Sequence, residues 1–272
     1  MPDDYQRFYE LAGRQYPEDE LTYSSLSGLV RKKWVQAKIR ELPPGNLLDC
    51  GCNTGRLVAD WPKGKVFGVD IAFGALRRGR RMFPRVNFIH ADLRCFGFIR
   101  DGSIDNAVVI EVLEHIDDPR GFIGGLRAAL KPGGRVLITT PGYTRFRPTL
   151  IPLGVLKSYG IRSGTAGDLY FHTAYKPDEL AALVTECGFS VLEKGGFEHE
   201  LRGWVKPQVL LSNAFNKISE RYLPGSKFGI LFNRALRRLE IDIFQILDIF
   251  GFTRLLKALF REGRRSYVLA RK

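Results

Sequence analysis

Two rhythms of apolar residues take turns along this chain. Short apolar runs bounded by turn residues stand at 47–48, 66–69, 86–93, 104–110 and 135–140, as buried strands do. Between them apolar residues recur at helical spacing. The clearest such stretch is 119–130, opened by Pro119 in its first turn and closed by Lys131-Pro132-Gly133-Gly134. Another helix-length stretch separates the first two runs. Later, 175–186 reads as a helix and 189–193 as a sixth strand after Cys187-Gly188. Strands alternating with helices predict an α/β fold with a parallel, doubly wound sheet, whose ligands sit at the carboxyl ends of the strands.

Acids stand at those ends. Asp49 precedes the turn Cys50-Gly51-Cys52-Asn53-Thr54-Gly55, Asp70 closes the second run, Asp92 the third, and Glu111 follows the fourth. A strand that stops at a tight glycine turn offers bare backbone N–H groups and a helix N-terminus to a ligand, and an acid on the next strand reaches ribose hydroxyls. Asp70 lies 19 residues after Gly51, near the spacing of that ribose-binding acid. The turn is not the dinucleotide one, because Asn53 and Arg56 stand where Gly-x-Gly-x-x-Gly needs glycine. Asp49 would repel a pyrophosphate and suits a cation. The expected ligand is a nucleoside with a positively charged arm.

The segments LLDCGCNTGRL, VFGVDIA, NFIHADL, SIDNAVVIEVLEHI and LKPGGRVLITTP, in this order, resemble the motifs of class I S-adenosylmethionine-dependent methyltransferases over about residues 29–192 plus the last strand. The resemblance implies a Rossmann-like sheet of seven strands with the last one antiparallel, and S-adenosylmethionine as cofactor. It implies that the loop with Asp49, Cys50, Gly51, Cys52, Asn53 and Gly55 holds the methionine end. Asp70 with Ile71 would take the ribose, Asp92 with Leu93 the adenine, and Glu111 the cofactor region. The family usually has glycine where Asn53 stands; asparagine tolerates left-handed backbone angles. The seventh strand should pair back beside the sixth, and 266–270 is the late candidate. Some seventy residues then separate two strands that a short hairpin could join.

This divides the chain into a lid at 1–46, a cofactor-binding core at 47–200, an insertion at 201–265 and a final core strand at 266–272. Charge marks the insertion, which holds thirteen basic and five acidic residues, a surplus of eight out of the net +13. Within it Phe228, Phe232, Ala235, Leu236, Leu239, Ile243, Ile246, Leu247 and Phe250 recur at helical spacing, and 253–260 reads as a second helix. Basic amphipathic helices suit an anionic membrane surface; packing on the core or on a second subunit is the plainer alternative. Nucleic acid also attracts such charge, but no RNA-binding module is recognisable. The N-terminus has no apolar signal core and no uncharged stretch reaches a membrane span, so a cytoplasmic protein is expected, peripheral at the inner face of the membrane if the insertion docks there. Cys50, Cys52, Cys95 and Cys187 form neither a disulfide framework nor a zinc site and are expected as small apolar fillers.

Methyl transfer from a sulfonium is an in-line displacement that needs alignment and a base. Glu111-Val112-Leu113-Glu114-His115 puts Glu111, Glu114 and His115 on one face if a helix starts there. His172 lies in the loop before the helix that begins near residue 175. His115, His172 and Glu111 are the catalytic candidates; His90 and His199 receive no role. Glu111, Glu114, His115 and His172 could together hold Mg²⁺ or another divalent cation. The pattern resembles the Glu-x-x-Glu-His of small-RNA terminal 2′-hydroxyl methyltransferases and the Glu-Val-x-Glu-His of ubiquinone-biosynthesis O-methyltransferases. It is also widespread in this class without a metal, with Glu111 contacting the cofactor region and His115 a helix residue or a simple base. Tyr5, Phe8, Tyr9, Tyr16 and Tyr23 precede an amphipathic helix at 26–42 and suit an apolar or ring-shaped acceptor. The stretch 143–167 forms another wall, and its segment 150–156 either covers a lipid-like tail, meets a membrane or packs locally. The expected reaction is methylation of an oxygen, ahead of nitrogen or carbon, on a small lipid-like acceptor. An RNA methyltransferase and a non-catalytic cofactor-binding module are the alternatives.

Overall fold

In the computed structural model, which describes residues 4–16, 18–142, 149–202, 204 and 228–272, the apolar runs become the centre of one sheet. Strands β1 (Leu47–Cys50), β2 (Val66–Asp70), β3 (Val86–His90), β4 (Ile104–Ile110), β5 (Leu130–Pro141), β8 (Ser190–Phe197) and β9 (Arg265–Arg271) lie in the order β3-β2-β1-β4-β5-β9-β8. The first five are parallel, and β9 runs antiparallel to both β5 and β8. The chain leaves β1 for β2 on one side and returns to β4 on the other, which opens a crevice beyond the ends of β1 and β4.

Helices cover both faces. They are α1 (Asp4–Gln15), α2 (Glu18–Tyr23), α3 (Leu26–Glu41), α4 (Phe73–Met82), α5 (Pro119–Ala129), α6 (Pro177–Glu186), α7 (Phe228–Ile249) and α8 (Phe252–Leu259). Helix α3 begins where the Ser25 hydroxyl accepts the Gly28 N–H at 3.1 Å, and α5 where Asp118 accepts the Gly121 N–H at 3.0 Å ahead of Pro119 in the first turn. On one face Phe122, Ile123 and Leu126 of α5 and Leu180 and Val184 of α6 close over Leu48, Val109 and Ile138. On the other, Val35 and Ile39 of α3 pack with Leu47, Val108 and Leu137. Burial on both sides explains why β1 and β4 read as mainly apolar runs, with Asp49, Asp105 and Asn106 the exceptions.

The structure corrects several expectations. Residues 51–60 form no helix. They make successive turns, with Gly55 N donating to Cys52 O (2.7 Å), Val58 N to Gly55 O (3.2 Å) and Trp61 N to Val58 O (3.0 Å). The positive φ of Asn53 (50°) and Gly55 (75°) interrupts any helical run there. Strand β5 absorbs 131–134, expected as a helix-closing turn, because Leu130 pairs with Ile104. Strand β3 stops at His90, so Asp92 lies two residues past its end. Cys50 and Cys52 are buried as expected, whereas Cys95 is exposed. The segment 150–156 packs locally: β6 (Leu150–Pro152) pairs with β7 (Leu169–Phe171), and Leu153 with Ile161 buries against Phe8 of α1. Helices α7 and α8 come between β8 and β9, and Phe244 of α7 packs with Leu26 of α3 and with Leu201. Residues 203 and 205–227 of that insertion and residues 143–148 lie outside the described residues. Among the described residues no helix is long and apolar enough to cross a membrane.

Candidate active site

A cleft opens beyond β1, β2 and β4 and is roofed by α1. Its floor is the turn after β1. Gly51 takes a φ of 73°, and a Cβ there would overlap Val112, so only glycine fits. Asn53 adopts the left-handed conformation in which asparagine replaces glycine at low cost. Its N–H donates to Asp70 Oδ2 at 2.8 Å, while Ala72 N–H donates to Asp70 Oδ1 at 2.8 Å. Burial raises the Asp70 pKa and these two donors oppose the rise. Asp49 is buried within β1, and burial, followed by repulsion from Asp70, pushes its pKa up to about 8. Asp92 is gripped by the guanidinium of Arg94 (2.6 Å to Nη2), which lies 3.9 Å from the centre of the Tyr5 ring.

Asp49, Asp70 and Asp92 line the cleft, as do Gly51, Cys52, Asn53, Ile71 and Leu93. Two residues expected there do not. Cys50 is wholly buried beneath the turn, and Gly55 is packed against Phe88, where a Cβ would stand 3.1 Å from the ring. Three carboxyls facing one crevice, with a pair that repels in its absence, suit a ligand carrying hydroxyls and a positive charge.

At the other end of the cleft Glu111 meets charged partners that no motif announced. Glu111 has a φ of 57°, left-handed for a residue with a side chain. Its carboxylate accepts the Thr139 hydroxyl at 2.9 Å and is paired with Arg265 and with Arg31 (3.9 Å). Glu198, also left-handed at 62°, takes Arg31 Nε at 2.9 Å and faces Arg265 Nε at 3.7 Å. Two arginines and two glutamates thus form a closed square, with Glu198 buried and the other three half-buried. Burial alone would raise the Glu111 pKa, but Arg265 and Arg31 outweigh it and hold the carboxylate below its ordinary range. One signal for Arg31 was available: it shares a helical face with buried Val35 and Ile39, an unusual place for an arginine.

His115 lines the cleft and donates from Nδ1 to Phe171 O at 3.3 Å. Burial, then His172, lowers its pKa to about 4. Tyr9 and Tyr170 flank it, with ring centres 5.8 and 6.1 Å away. His172 is buried 5.2 Å from the His115 ring centre and does not line the cleft. Burial, then Arg265, lowers its pKa too. The Thr173 N–H donates to Glu114 O at 2.9 Å, which fixes the loop carrying His172 beside the turn carrying His115.

The arrangement does not support a divalent cation at Glu111, Glu114, His115 and His172. Among the described residues no group of three or more His, Cys, Asp or Glu side chains is assembled to hold a metal. The reason is local. Only 113–115 form a 3₁₀ turn, so Glu111, outside it, turns toward two arginines, while Glu114 is buried away from the cleft. Burial, then Glu111, raises the Glu114 carboxyl well above its usual range, which favours its neutral form. His90 and His199 lie elsewhere, the latter bonded through both ring nitrogens to the carbonyls of Phe260 and Gly196 at 2.8 Å.

A family profile described as a methyltransferase domain matches residues 29–194. The chain is 28% identical over 179 residues to a ubiquinone biosynthesis O-methyltransferase of Xanthomonas euvesicatoria, covering 63% of this chain and 73% of the relative. It is 26% identical over 201 residues to the enzyme of that name from Bordetella bronchiseptica, covering 71% and 83%. Among solved structures, phosphoethanolamine N-methyltransferase 2 of Haemonchus contortus with bound S-adenosyl-L-methionine superposes with a TM-score of 0.57 at 16% identity, covering 97% of this chain and 60% of that one. The [4+2]-cyclase SpnF gives 0.60 at 16% identity, covering 98% and 94%. At such identities these structures speak for the fold alone.

Proposed function

The chain belongs to the S-adenosylmethionine-dependent methyltransferases, and from that premise we propose that it methylates an oxygen of a small, apolar or lipid-like acceptor. The O-methyltransferases among its relatives support the choice of oxygen. The residues of the cleft fit the cofactor: Asp70, already oriented by two N–H groups, suits the ribose hydroxyls, Asp92 with Leu93 the adenine, and Asp49 with Gly51, Cys52 and Asn53 the cationic methionine end. The guanidinium of Arg31, fixed by Glu198, suits that end's carboxylate. When bound, the cofactor supplies an electrophilic methyl group on sulfur.

The observation that carries the acceptor chemistry is His115. It is a neutral imidazole in the same cleft as the three acids, walled by Tyr9 and Tyr170. With Nδ1–H committed to Phe171 O, Nε2 keeps the lone pair that takes the proton of an acceptor hydroxyl. Glu111, close enough to favour the protonated ring, steadies it once charged. His172 acts behind it as a positioning residue. Residues 1–46 serve as the lid, and the protein works in the cytoplasm, attached peripherally to an anionic membrane surface through residues 201–265.

Labelled S-adenosylmethionine incubated with separate lipid, RNA and small-molecule fractions tests the acceptor. Label in an organic-extractable product, stable to mild alkali as an ether is, supports the reading; label in RNA overturns it. With that product as readout, His115→Ala should lower kcat by about 10²–10⁴ with cofactor affinity kept. Unchanged turnover would remove His115 as base.

A further inference from the structure

We infer that the outer faces of α7 and α8 are the surface that seats this protein on an anionic bilayer, an inference that rests on the peripheral attachment proposed above. Helix α7 is apolar on two sides. Its inner side buries Phe244 against Leu26 and Leu201. Its outer side presents Leu239, Ile243, Ile246 and Phe250, spaced four, three and four residues apart and all exposed. Helix α8 continues the pattern with Phe252, Leu255 and Leu259 at spacings of three and four, again exposed. Of the twelve large apolar residues exposed among those described, eight fall within 239–259, a concentration that marks a contact surface rather than scattered surface residues.

Charge chooses the occupant. Arg238, Arg254, Lys257 and Arg261 are exposed beside these faces. Asp248 is engaged by Lys33 at 3.6 Å and by the Thr253 hydroxyl, Glu262 by Arg202 at 3.4 Å and Lys257 by Glu200 at 3.5 Å, so Arg238, Arg254 and Arg261 outnumber Asp242 on the exposed side. Residues 228–262 hold six basic and four acidic residues, so a second copy would bring the same net positive charge to the contact, whereas anionic headgroups are attracted. The corner between the helices is the deepest point of contact. Gly251 turns it with a left-handed φ of 79° and open space around it, leaving Ile249 and Phe250 each 81% exposed, the highest values among the large apolar residues. Helix α7 rests on α3, which carries Arg31 into the cleft. Docking therefore brings the cleft's own wall near the lipid.

The test is sedimentation of the full chain with vesicles of phosphatidylglycerol and phosphatidylcholine, against phosphatidylcholine alone. The wild type should bind the anionic vesicles in a salt-sensitive way, and Ile249→Glu with Phe250→Glu should bind at least tenfold more weakly while still binding S-adenosylmethionine. Should that variant not fold, Arg254→Glu with Arg261→Glu, whose residues are exposed, should show the same loss. If the wild type binds and both folded variants bind equally well, the assigned face is overturned while attachment stands. If the wild type binds no vesicle, attachment itself fails and this inference with it. A concentration-dependent dimer broken by Phe250→Glu would give the face to a second copy and overturn the bilayer.

Discussion

Two residues in the cleft carry their chemistry in their burial. Asp49, with its pKa near 8 through burial and then Asp70, is protonated at pH 7 in the free protein. A cationic ligand favours its ionised form, so cofactor binding at pH 7 should release close to one proton, and affinity should rise with pH up to about 8. Calorimetry in two buffers of different ionisation heat reads this directly; no proton release removes Asp49 from the cationic contact. The same raised pKa means that the folded state holds more protons between pH 4 and 8, so this group's contribution to stability is lost as pH rises through 8. His115 has the opposite sign. Its folded pKa of about 4 lies below the unfolded value, so stability rises with pH between about 4 and 6.5 and is lost as pH falls through that window. As a base it stays neutral above pH 5. With the cofactor saturating, the acid limb of kcat/KM for the acceptor should fall below pH 5, and a limb near 6.5 would assign the proton to another group.

Among the elements, strands and long helices were legible in sequence because burial on both faces makes most of β1 and β4 apolar, and because Asp118-Pro119 marks the start of α5 with a capping carboxylate and a first-turn proline. The turn at 51–60 was not, since its form depends on left-handed backbone at Asn53 and Gly55 rather than on apolar spacing. The acids lining the cleft were legible from their place at strand ends. The square of Arg31, Glu111, Glu198 and Arg265 was not, because its members come together from α3, from just past the ends of β4 and β8, and from β9, with Arg31 and Glu198 167 positions apart. Glu198 is 1% exposed at its side chain, so Glu198→Gln should leave two arginines undercompensated and cost about 3–5 kcal/mol, read by urea unfolding. Combined with Arg31→Met the loss should be less than additive; full additivity would show that the two do not communicate.

For the whole molecule the sheet order and the insertion between β8 and β9 agree with the expectation drawn from the motifs, while the cleft's position follows from where the strand order reverses. A ligand bound there touches the turn after β1, the ends of β2 and β4, and α1. S-adenosylmethionine at about 100 times its Kd should therefore add about 2.7 kcal/mol of stability and raise the unfolding temperature by several degrees in a calorimetric scan; no rise would mean that the cleft does not take it. Helix α1 gives that binding a further property. Gly13 lies so close to Ala72 that any side chain would overlap it, Arg78 donates to Gly13 O at 2.7 Å, and Phe73 N donates to Glu10 at 3.1 Å. Loosening the seat at Gly13 should therefore show first in how fast a ligand enters and leaves the cleft, ahead of how tightly it is held.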